Sequence, residues 1–117
     1  MTQTIQTDRI RGIGPVIAGR VDGVPAYYMD VVDADGIVRR CWEPKTCPRG
    51  DRLAKRRCVL DRIELAQACR GQGQPVVLAH DQQSFDGLVK ILVGREVPGG
   101  APAERVNFRS HRVGVPT

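Results

Sequence analysis

Residues 26–43 read AYYMDVVDADGIVRRCWE, and the fold turns on how they are read. Tyr27, Met29 and Val31 alternate with Tyr28, Asp30 and Val32 in a β-branched and aromatic run, the two-residue period of a strand. Asp33, Ala34, Asp35 and Gly36 then supply a tight connection, with glycine where positive φ is needed. Residues 37–43 resume the extended pattern, so a β-hairpin over 26–43 is expected. Upstream, residues 16–21 form a short apolar stretch ended by the turn pair Asp22-Gly23, and Pro25 opens the next stretch. That reads as strand, turn, strand.

Downstream, Pro44, Pro48 and Gly50 predict a loop over residues 43–50. Over residues 51–70 the apolar positions are Leu53, Cys58, Val59, Leu60, Ile63, Leu65, Ala66 and Cys69. On one helix these scatter round the wheel instead of forming a stripe. The pattern predicts a break: a short extended piece at 57–60, then a helix over 62–70 with Asp61 as N-cap and Gly71 and Gly73 ending it. Residues 75–80 read as a buried strand, because Val76, Val77, Leu78 and Ala79 form a short apolar run between turn residues. A second helix follows, capped by Ser84, with Phe85, Leu88, Val89 and Leu92 at i, i+3, i+4 and i+7 and Gly94 closing it. The tail carries Arg105, Arg109, His111 and Arg112, as an edge strand around 105–109 or a basic arm.

The expectation is a small α+β protein. A single globular domain spans 1–97, with an antiparallel N-terminal sheet and two short helices, and 98–117 is a basic C-terminal tail. An OB-like barrel is the alternative. At 117 residues, 41% apolar and 26% charged, the chain can bury a core without metal or disulfide staples. No apolar segment near its start suggests a signal peptide, and no run approaches the roughly 18 residues of a membrane span. A cytoplasmic protein with no membrane contact is expected, and in that reducing compartment its four cysteines read as free thiols.

Chemistry offers little to build on. Cys41, Cys47, Cys58 and Cys69 match a zinc site in number but not in spacing, since zinc modules bring ligands in close pairs. Cys58 and Cys69 on one helix would stand roughly 16 Å apart. A nucleophilic cysteine is the sharper enzymatic idea, because Cys47 and Cys58 lie among Arg49, Lys55, Arg56 and Arg57, and nearby cations lower a thiol pKa. Its proton relay would have to be His80 with Asp81, a pair that points in different directions on a strand. Asp30, Asp33 and Asp35 invite a calcium reading that fails, because an EF-hand register puts Val31 and Trp42 where carboxylates are required. The glycines at 12, 14, 71 and 73 lack the Gly-Lys-Ser/Thr of a phosphate loop and read as turn residues. No cofactor, no metal and no enzymatic activity are expected, with cysteine chemistry the residual possibility.

Charge is the stronger signal. Between Arg39 and Arg70 ten cations stand against four acids, a net of +6, while the remainder of the chain carries eight against nine. Such asymmetry predicts an anionic partner. The expected function is nucleic-acid association, with a basic face at residues 39–62 on phosphates: Arg39, Arg40, Lys45, Arg49, Arg52, Lys55, Arg56 and Arg57. Trp42, with Tyr27 or Tyr28, would be available to stack on a base. The alternative is a small regulatory or inhibitory module docking electrostatically on an acidic protein surface or a nucleoprotein.

Overall fold

The computed structural model describes residues 7–45, 48–94 and 104–106, with backbone alone at 48–51 and 104–106. The elements run β1 (Ile10–Ile13), β2 (Ile17–Val21), β3 (Val24–Asp33), β4 (Val38–Pro44), α1 (Pro48–Gly71), β5 (Val77–Leu78), α2 (Gln82–Val93) and β6 (Glu104–Val106). The result is an α+β fold in which a curled mixed sheet, a half-barrel, carries two helices.

β3 is the spine. One of its edges pairs antiparallel with β2 and then with β1, and its other edge pairs with β4 from Ala26↔Pro44 to Val32↔Val38. The hairpin over 26–43 therefore forms as its alternation dictates. Asp22 and Gly23, both at positive φ, turn β2 into β3. At the other turn the Asp33 carboxylate accepts from the backbone N–H of Asp35 and of Ile37 at 2.9 and 3.0 Å. The acids there organise a connection, and Asp35 also pairs with Arg9.

Two parallel pairings complete the sheet, β5 beside β1 and β6 beside β4, in the order β5-β1-β3-β4-β6. Residues 75–80 do contain a strand, but it is an edge rather than a buried element. Val77 is 52% exposed, and among the described residues no strand lies beyond it. The tail contributes an edge strand at β6; the other residues of 98–117, like Cys47, lie outside the described residues.

The two sheet faces hold different cores. Ile10, Ile13, Met29, Val31 and Cys41 meet Leu65, Ala66 and Cys69 of α1 on one face. Val32 and Val38 meet Ala79 and α2's Phe85 and Val89 on the other. α2 lies close to β1 because Gly12 and Gly14 leave room. A Cβ at Gly12 would strike Leu88 Cδ2, and one at Gly14 would lie 3.3 Å from Phe85 Cγ. These two glycines are packing positions on and beside a strand, not turn residues.

α1 departs most from expectation. It is one unbroken 24-residue helix that starts inside the expected loop, at Pro48, which suits a first helical position. Neither the extended piece at 57–60 nor the Asp61 cap exists. Asp61 is a mid-helix residue, 3% exposed. The inward positions are Ala54, Cys58, Asp61, Leu65, Ala66 and Cys69, a stripe made mostly of small residues. Tyr27 and Met29 on the sheet supply the bulk, and Tyr27 packs on Ala54 and Cys58. α2 begins one cap earlier than expected: Asp81, not Ser84, is the N-cap, accepting from the Ser84 N–H at 2.7 Å. Gly94, at φ 79°, closes it with its N–H on the Lys90 carbonyl at 2.8 Å.

Candidate functional site

The nine residues expected to form a binding face are divided by the sheet. Along β4 alternate side chains point to opposite faces. Register places Arg39 opposite Val31 and Cys41 opposite Met29, on the α1 side. Arg40 and Trp42 lie opposite Asp30 and Tyr28, on the α2 side. A single surface therefore does not hold Arg40 and Trp42 together with the helix cations.

Arg40 is committed to the fold. Its Nε and Nη2 donate to the two Asp30 oxygens at 2.8 and 3.0 Å, and its guanidinium stacks on the Tyr28 ring, 3.9 Å from the centroid. Burial pushes the Asp30 carboxyl above its ordinary pKa, while Arg40 pulls it down. The hydrogen bonds to Asp30 hold Arg40 charged. A buried, forked pair of this kind leaves little of the cation for a ligand. Arg62, also in the basic window, is a clasp: Nε donates to the Gly14 carbonyl and Nη2 to the Ala79 carbonyl, both at 2.7 Å. It ties α1 to the segment joining β1 to β2 and to the residue after β5.

α1 keeps the remainder. Arg52, Lys55 and Arg56 are exposed, Arg57 is half-buried, and no acid interrupts residues 52–57. Lys45 sits at the end of the same seam, its Nζ 4.8 Å from the centroid of Tyr27, the ring that covers Ala54 and Cys58. Arg49 belongs to α1, on a turn whose side chains lie outside the described residues. Tyr27, one of the two tyrosines available for stacking, is buried beneath α1. Tyr28 and Trp42 are cross-strand neighbours on the opposite face, both half-buried.

The three described cysteines face inward. Cys41, Cys58 and Cys69 are free and buried, and among the described residues no three metal-binding side chains converge. The environment of Cys58 works against a thiolate. Burial, then the Asp61 and Glu43 carboxylates, push its pKa up to about 12, so the neighbouring cations in sequence do not reach it. Burial raises Cys41 and Cys69 as well. His80 is exposed, and Asp81 is occupied in capping α2.

One feature of α1 was missed by sequence reasoning. Leu53, Val59, Leu60 and Ile63 are 68%, 38%, 44% and 46% exposed. At about 100° per residue, Leu53, Leu60 and Ile63 fall within roughly 80° of arc, with Arg56 between them. The available signal was the small-residue stripe at 54, 58, 61, 65 and 69, whose spacing of three and four is helical once alanine and cysteine are allowed as core.

Comparison of the chain with protein-family models, with curated proteins and with solved structures returns no match. No helix among the described residues is long and apolar enough to cross a membrane.

Proposed function

We propose that this chain is a non-enzymatic binding module of the cytoplasm that contacts an anionic macromolecule through the outer face of α1. The carrying observation is the run of four cations and no acid over residues 52–57, with Arg52, Lys55 and Arg56 exposed near the helix's positive N-terminal end. An anionic partner gains from these side chains. An acidic protein surface is the favoured partner, because the same helix face carries aliphatic side chains that phosphates leave unsatisfied. Nucleic acid is the second reading, supported by the density of cations over little more than one turn.

Binding of oligo(dT), duplex DNA and poly-glutamate across a salt series tests the reading. A chain using phosphate contacts loses affinity on duplex DNA with a slope of about 0.9 per neutralised phosphate. Arg52→Glu combined with Arg56→Glu should abolish polyanion binding without lowering the melting temperature, since both side chains are exposed. Absence of binding to all three probes at low salt would refute the proposal.

A further inference from the structure

Burial on α1 is largely inverted: Ala54, Cys58 and Ala66 are packed against the sheet with Leu65 as the one large aliphatic among them, while Leu53, Val59, Leu60 and Ile63 face outward. Large aliphatics on the outer side of a helix leave apolar surface in water that folding does not cover. They gain from a partner. Cations edge this stripe and also interrupt it: Arg52 and Arg56 are on it, and Lys55 and Arg70 are exposed beside it. Glu64 is the exposed acid at its margin.

We infer that the outer face of α1 is a docking site for an acidic amphipathic helix of another protein. The inference rests on the reading of α1 as the contact surface for an anionic partner, and it names that partner's chemistry. Leu53 to Ile63 spans about 15 Å, three turns, which a partner helix matches with apolar side chains at i, i+3 or i+4, and i+7. Its acids, flanking that stripe, meet Arg52, Lys55 and Arg56. Charge decides between occupants. A second copy of this chain would bring two sets of these cations face to face, and a nucleic acid would leave Leu53, Leu60 and Ile63 against water and phosphate. An acidic amphipathic helix satisfies both halves of the surface.

The probe is a fluorescent synthetic peptide of about 21 residues, long enough for a helix of roughly 30 Å, with leucines on one face and glutamates flanking them. Its lysine counterpart and labelled oligo(dT) are the comparisons. The glutamate peptide should bind saturably and the lysine peptide should not. Leu60→Asp with Ile63→Asp should weaken the glutamate peptide at least about tenfold, as should Arg52→Glu with Arg56→Glu. Ile91→Asp, at an exposed aliphatic on α2, should change nothing. Circular dichroism melts of each variant separate lost binding from lost fold. Oligo(dT) binding without glutamate-peptide binding overturns the inference and leaves the anionic-partner reading intact; binding to neither overturns both. Self-association of the wild-type chain in sedimentation, abolished by the Leu60 and Ile63 changes, overturns it in favour of a second copy.

Discussion

α2 turns Phe85 and Val89 to the sheet and leaves Gln83, Lys90 and a single large aliphatic, Ile91, in water, whereas α1 turns Ala54 and Cys58 to the sheet and leaves Leu53, Leu60 and Ile63 outside. The two helices pack on opposite faces of one sheet under different local rules. Where α2 lies, Gly12 and Gly14 leave a recess, and the helix fills it with Phe85 and Leu88. Where α1 lies, Tyr27, Met29 and Ile13 fill the space from the sheet side, so the helix must be slim. Which partner supplies the volume is a property of the pair, since close packing fixes only the total.

The largest expected effect breaks this contrast directly. Phe85→Ala should cost about 3–5 kcal/mol of unfolding free energy, while Leu60→Ala, removing an equally apolar but outward side chain, should stay within about 0.5 kcal/mol. Urea denaturation of the two variants checks it, and a large loss in Leu60→Ala would mean that α1's outer face is core after all.

Next in size is the clasp. α1 is held by polar bonds as well as by its thin stripe, so Arg62→Ala, which orphans the Gly14 and Ala79 carbonyls, should cost about 3 kcal/mol. Equilibrium unfolding measures it. A loss near zero would leave the small-residue stripe as the whole of α1's anchorage.

The α1 seam should also be sensitive to alkali. A thiol whose folded pKa is raised contributes stability below its unfolded pKa and loses it as pH climbs toward the folded value. For Cys58, with an ordinary value of 9.0 and a folded value of about 12, stability should therefore fall as pH rises above about 9. Cys58→Ala should flatten that slope in melts taken between about pH 8 and 11. On α2 the sign reverses. Asp81, held below its ordinary range first by the Ser84 N–H, contributes stability above pH 3.8 that is lost as pH falls through its lower folded value. Asp81→Ala should remove this acid-side dependence and speed amide exchange at Ser84, the smallest of the effects.

The hairpin at 26–43 and the apolar face of α2 were legible because each is a local pattern: alternation with turn residues in one, i, i+3, i+4, i+7 with a glycine stop in the other. α1 was not legible because its core stripe, Leu65 apart, is alanine, cysteine and a buried aspartate, residues that count weakly in any apolar pattern, while most of its large aliphatics point away. The basic window was equally clear as a composition, but composition does not say which side of β4 a residue occupies. Arg40 and Trp42 are next to the helix cations in the list of residues and on the other face of the sheet in space.

By itself the sequence determined the two β-turns, the strand alternation around them, the close of α2 at Gly94 and the concentration of charge, because all four depend on neighbours within a few residues. The tertiary structure alone decided that α1 is continuous and turns most of its large aliphatics outward, that Arg40 and Arg62 hold the fold together, and that Arg52, Lys55 and Arg56 remain at the surface. Those outcomes depend on side chains tens of residues apart competing for the same volume and the same hydrogen-bond partners, and no local pattern records the winner.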